Sequence, residues 1–218
     1  LPRKAPGTRR PFMAGLPEPQ IFGKYHLVDK IATGGMAEVF RAKSYGVAGF
    51  EKTLVIKKIL PNLASDKKFV EMFIDEAKIA STLSHINVVQ IFDLGSEDGD
   101  YFIAMEYVDG TDLKTLVEKA RQARRPVPVN LMAYVVSEVA KGLDYAHRRK
   151  DAQRRDMNIV HRDISPHNVM VSYEGEVKVI DFGLAKSTAR SQHTLPSTVM
   201  GKLGYMAPEQ ARGDPVDH

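Results

Sequence analysis

The chain has 218 residues, 43% of them hydrophobic, and its 31 Lys and Arg against 27 Asp and Glu give a formal charge of +4. That length and apolar content can bury a substantial core, and the nearly balanced charge argues against a nucleic-acid-binding surface. The lack of cysteine excludes disulfides, thiolate metal sites and cysteine nucleophiles and fits a reducing cytoplasm; no apolar run approaches the roughly 20 residues of a membrane span.

Residues 1–24 hold Pro2, Pro6, Pro11, Pro17 and Pro19 among Arg3, Lys4, Arg9 and Arg10, a composition that predicts a basic flexible tail. From 25 to 58, β-rich segments punctuated by Gly34, Gly35, Gly46 and Gly49 predict hairpins. Over 67–83 the period changes, with Phe69, Phe73, Ala77 and Ala80 at helical spacing. Apolar strands are expected over 88–94 and 101–107, joined by the turn Glu97-Asp98-Gly99-Asp100. Beyond Asp109 the pattern becomes helical, and 131–147 is the strongest helix, with Ala133, Val136, Ala140, Leu143 and Ala146 near one stripe. The charged run 148–156 reads as a solvated surface loop, and short strands follow over 169–172 and 177–180.

Gly34-Gly35 falls where a hairpin turn is expected, and small residues there let backbone amides approach phosphate oxygens; an ordinary turn has the same composition. Leu54-Val55-Ile56-Lys57 is an apolar strand ending in a lysine, and Glu76 on the following helix can pair with it. The decisive segments are His161-Arg162-Asp163-Ile164-Ser165-Pro166-His167-Asn168, then Asp181-Phe182-Gly183, then Ala207-Pro208-Glu209. In this order they resemble the protein kinases. With Gly-Gly-Met-Ala-Glu-Val from 34 and Asp-Glu-Ala-Lys-Ile-Ala from 75, the chain is most similar to bacterial serine/threonine kinases from about Tyr25 onward.

The resemblance implies an α+β, two-lobed kinase fold. Residues 25–108 would form a β-rich small lobe with one regulatory helix and a hinge, and 109–218 a helical large lobe cut short at its end. It implies transfer of the γ-phosphate of ATP, with Mg²⁺, to Ser/Thr hydroxyls of protein substrates, with self-association for autophosphorylation and a cytoplasmic location; a membrane anchor outside the chain stays open. In that frame Asp163 orients the acceptor hydroxyl, Asn168 and Asp181 hold the metal, and Lys57, paired with Glu76, holds the α- and β-phosphates. Gly34 and Gly35 cover the phosphates, the backbone of Glu106 and Val108 meets the adenine edge, and Ile31, Val39, Val55 and Met170 sandwich the ring, with Met105 behind it. Asp112 takes a ribose hydroxyl or caps a helix. Phe182 packs between the lobes, and His161 is a packed, hydrogen-bonded residue.

The sequence departs from the family in several places. Ala32 and Ala37 stand where glycines are usual, and Val55 where alanine is usual. Ser165 replaces a usual lysine while Lys202 replaces a usual threonine, which suggests a swap in which Lys202 supplies the cation and Ser165 the hydroxyl. The interval before His161 is long, so 148–156 reads as an insertion. Thr198, then Ser197 and Thr194, are the candidate phosphorylation sites, with Arg162 as the phosphate's partner. The alternatives are a nucleotide-binding pseudokinase scaffold, an inactive fragment, or a small-molecule phosphotransferase; the last gives no reason for Ala207-Pro208-Glu209.

Overall fold

The computed structural model describes residues 19–182 and 203–218. Its first part is a six-stranded antiparallel sheet, ordered β1-β2-β3-β4-β6-β5. The strands are β1 (Gln20–Phe22), β2 (Tyr25–Thr33), β3 (Ala37–Tyr45), β4 (Glu51–Ile59), β5 (Ile91–Glu97) and β6 (Asp100–Glu106). Alternation along the strands builds two cores. Leu54 and Ile56 on β4, with Phe102 and Ala104 on β6, join Phe22, Tyr25, Leu27 and Phe40 on one face. Ile59, Ile103 and Met105 turn to the other face, with Val55 against them, and meet Phe73 and Ala77 of helix α1 (Lys67–Ser81). Lys57 shares the parity of Val55 and Ile59, so the strand's own period aims it at α1.

Local chemistry sets the turns and the start of the helix. Asp98 and Gly99, both at positive φ (51° and 85°), form the two-residue β5–β6 hairpin, and Glu97 pairs with Asp100 across it. Positive φ at both central positions matches the right-handed twist of the strands. The Asp66 carboxylate accepts from the Lys68 amide and caps α1.

The second part is smaller. A three-stranded sheet, β7 (Gly110–Asp112), β8 (Val169–Ser172) and β9 (Val177–Val179), lies against α2 (Leu113–Gln122) and α3 (Val129–His147). A short helix, α4 (Pro208–Arg212), follows the undescribed segment. A third core joins the two parts: Ala80 and Leu83 at the end of α1 pack with Val88, Ala146, Ile159, Val179 and Phe182. Asn87 fastens the same junction, donating from Nδ2 to the Val177 carbonyl and to Glu138, while its own carbonyl accepts from the Val179 amide. Among the described residues no helix is long and apolar enough to cross a membrane.

Several expectations need correction. The tail read to residue 24 overlaps β1, whose Phe22 is buried in the core and pairs with Tyr25 around Gly23 at φ 54°. Val88 and Val89 do not begin β5; Val88 bridges to Val179 and the Val89 amide donates to the Val179 carbonyl. On α3 the buried positions are Val135, Gly142 and Ala146, whereas Ala133, Val136 (61% exposed) and Ala140 face outward. Both sides of that helix are apolar, so period alone could not choose the packed one. The 148–156 run, by contrast, is the exposed surface loop expected, and Lys150 bridges to Asp156 while Asp151 accepts from the Gln153 and Arg155 amides.

Candidate active site

Lys57 leaves β4 between the two parts of the molecule, with its Nζ 2.6 Å from Glu76 Oε1 on α1 and 2.9 Å from Asp181 Oδ1 just past β9. Burial acts to lower the Lys57 pKa, but Asp181 and Glu76 outweigh it and hold the ammonium above its ordinary value. One ammonium between two carboxylates leaves a negative charge in excess. That excess suits a hard divalent cation once phosphate oxygens occupy the ammonium.

Asn168, 6% exposed, donates from Nδ2 to the Asp163 carbonyl at 2.7 Å and to its carboxylate at 2.9 Å. Both amide hydrogens are thereby used, leaving Oδ1 as a neutral oxygen donor that can ligate a metal. His161 fixes the loop beneath. The Asp163 amide donates to its Nδ1 at 3.2 Å, so that nitrogen is an acceptor, and the proton on Nε2 is donated to the Ile180 carbonyl at 3.0 Å. Burial lowers the pKa of His161, consistent with the neutral ring this bonding requires. Its ring lies 4.7 Å from that of Phe182, which fills the core under α1. Arg162 and Asp181 hold left-handed backbone (φ 62° and 60°), a conformation that costs non-glycine residues about 1–2 kcal/mol and recurs at functional sites.

Val55, Met105, Val108 and Met170 come together in one apolar cluster, and the adjoining cavity between Met105, Glu76 and Phe182 has only about 20 Å³. Ile31 on β2, 41% exposed, and Val39 on β3 are not members of that cluster. The Gly34 amide closes the β2–β3 turn onto the Ala37 carbonyl at 2.8 Å. Neither Gly34 nor Gly35 has positive φ, nor do Ala32 and Ala37, so the alanines fit without strain. Asp112 caps α2 by accepting from the Thr115 amide at 2.9 Å. Ser165 is 2% exposed, and its hydroxyl has no hydrogen-bond partner among the described residues. Lys202, Thr198, Ser197, Thr194 and Gly183 lie outside the described residues.

Sequence reasoning missed a buried clasp between β9 and the end of β6. Lys178 on β9, 7% exposed, pairs with Glu106 Oε1 at 2.9 Å and donates to the Ile86 carbonyl at 3.0 Å, while the Gln90 amide donates to Glu106 Oε2. A lone lysine in Val-Lys-Val reads as an outward strand position, so no local signal marks it. Gln210 of α4 was missed too; its Nε2 donates to the Arg162 carbonyl at 2.8 Å and ties the Ala-Pro-Glu segment to the loop carrying Asp163.

Residues 25–218 match the family described as "Protein kinase domain", and the chain belongs to that family. It is 49% identical to the tyrosine-protein kinase MasK of Myxococcus xanthus over 94% of this chain and 32% of that one. It is 37% identical to the serine/threonine-protein kinase PrkC of Bacillus subtilis over 89% of this chain and 28% of that one. The Mycobacterium tuberculosis PknI kinase domain superposes with a TM-score of 0.65 at 31% identity, covering 94% of this chain and 71% of that chain. The chain thus spans about a third of the length of these curated relatives.

Proposed function

We propose that this chain is the catalytic part of a protein kinase that moves the γ-phosphoryl group of ATP to Ser or Thr hydroxyls of proteins, its own 183–202 segment included. The observation that carries the reading is the Lys57–Glu76–Asp181 triad set beside the Asp163–Asn168 bond. Mg²⁺ held by Asp181 and Asn168 Oδ1 would neutralise phosphate charge. Lys57 holds the α- and β-phosphates, and Glu76 holds Lys57. Asp163 aligns the acceptor hydroxyl and takes its proton as the oxygen attacks the γ-phosphorus; the bond to the β-phosphate oxygen breaks, ADP leaves, and a phosphate ester remains.

The buried Ser165 hydroxyl, without a partner among the described residues, favours the proposed swap, since such a group costs free energy until something bonds it, and a Lys202 ammonium would supply the partner. Arg162 Nε, likewise buried without a partner among the described residues, suits a phosphate on Thr198. A tyrosine acceptor is the second reading; it rests on the relative named a tyrosine kinase and on Ser165 at the usual lysine position. Phosphoamino-acid analysis after incubation with Mg-ATP separates the two. Phosphothreonine or phosphoserine, absent in Asp163→Asn, supports the first; phosphotyrosine alone replaces it; no phosphate in either protein refutes catalysis. If Lys202→Ala transfers phosphate as fast as the parent, the swap is wrong.

A further inference from the structure

Asp163 is carried into the site by a peptide unit that is held at both ends. The Arg162 carbonyl and the Asp163 N–H belong to one planar group. The N–H donates to His161 Nδ1 at 3.2 Å, and the carbonyl accepts from Gln210 Nε2 at 2.8 Å. A carbonyl oxygen can only accept, so the Gln210 carboxamide has to present its nitrogen here. The unit needs such support, because Arg162 has φ 62°, in the left-handed region, which a non-glycine residue keeps only where its surroundings over-determine it. Fixing the plane sets ψ of Arg162 and φ of Asp163, and with them the direction in which the Asp163 side chain leaves the backbone.

The other holders of Asp163 are local. His161 and Asn168 belong to the same loop, are buried, and Asn168 donates to both the Asp163 carbonyl and its carboxylate. Gln210 comes from α4, 48 positions after Arg162. No other side-chain hydrogen bond joins α4 to residues 19–182 among the described residues, and Arg212 of the same helix pairs only with Asp214 just beyond it. We infer that Gln210 is a positioning residue for Asp163, its side-chain N–H holding the Arg162–Asp163 peptide so that the carboxylate meets the acceptor hydroxyl. This rests on the role proposed above for Asp163. Gln210 has no hydrogen bond to Lys57, Glu76 or Asp181, so its contribution belongs to the transfer step and not to nucleotide affinity.

Two measurements on the protein test this, one with turnover and one without. With Mg-ATP and an acceptor peptide carrying Ser, Thr and Tyr, Gln210→Met keeps the shape and removes the donor; kcat should fall about tenfold while KM for ATP changes less than about twofold. Gln210→Glu is nearly isosteric but sets a carboxylate against the carbonyl at neutral pH, and should lose at least as much. Gln210→Lys restores a donor and should recover part of the loss, whereas Arg212→Ala, on the same helix, should leave kcat unchanged. Hydrogen exchange read by mass spectrometry needs no catalysis: amides around Asp163 should exchange about tenfold faster in Gln210→Met and not in Arg212→Ala, with exchange elsewhere unchanged. Unaltered exchange around Asp163, a rise spread over the whole chain, a Gln210→Glu protein as fast as the parent, or a loss confined to KM for ATP would each overturn the inference. A parent that transfers no phosphate would refute the proposed function instead, and the exchange comparison would still decide whether Gln210 holds this peptide.

Discussion

Lys178→Met would remove a buried ammonium while nearly preserving side-chain volume. Left behind are the Glu106 carboxylate, still bonded by the Gln90 amide, and the Ile86 carbonyl without its donor. Stripping one partner from a fully buried ion pair costs about 3–5 kcal/mol. The Lys178 side chain is 8% exposed but that of Glu106 is 27% exposed, so water recovers part of this and about 2–3 kcal/mol is expected. For a domain of this size that lowers Tm by about 4–12 °C. Calorimetry of Lys178→Met, Glu106→Gln and the double variant measures it. Because most of the single-variant cost is the stranded carboxylate, the double variant should be more stable than Lys178→Met alone. The KM for ATP should rise more than kcat falls, since Glu106 ends the strand that leads to Val108. A Tm within 1 °C of the parent, or strictly additive losses, would refute the clasp.

Other expectations follow from close contacts and protonation. In Gly110→Ala the new methyl would stand 2.0 Å from the Val171 carbonyl oxygen, so the β7–β8 pairing must break; soluble yield and Tm should collapse, whereas Gly175→Ala, strained only by its φ of 94°, should fold. His161 is held neutral below its ordinary pKa, so the unfolded chain takes up the proton first. Stability should therefore fall as pH drops below about 6.5, and urea titrations of His161→Phe should show a shallower acid slope than the parent along with a lower plateau. Asp112→Asn should keep the cap and Asp112→Ala lose about 1 kcal/mol by thermal melting; a rise in KM for ATP common to both would mark a ribose contact.

Much of this site was legible because its parts are local. Lys57 lies on an alternating strand, Glu76 rides an amphipathic helix with a visible Asp66 cap, and Asp98-Gly99 announces its own turn. What escaped depends on partners distant in sequence. Val88 and Val89 look like strand residues, but Val88 makes only an isolated bridge to Val179 and the Val89 amide donates to the same residue, and neither extends β5. Lys178 is buried only because Ile86 and Glu106 converge on it from elsewhere. Gln20–Phe22 followed prolines that obscured a real hairpin signal in Phe22-Gly23-Lys24-Tyr25. The expected α3 stripe mixes the outward Ala133, Val136 and Ala140 with the packed Leu143 and Ala146, because tertiary contact, not period, decides between two apolar faces.

The ammonium of Lys57 receives one carboxylate from a helix and another from the segment after β9, while the lysine itself belongs to the sheet. A strand, a helix and the segment after β9 therefore meet at a single atom, which makes that atom a coincidence detector. Silencing such a device takes one dissenting vote, a displaced α1 or a turned Asp181, whereas switching it on takes unanimity. Under the proposed function, disturbing any one piece would inhibit transfer, and an activator would have to leave all three aligned at once.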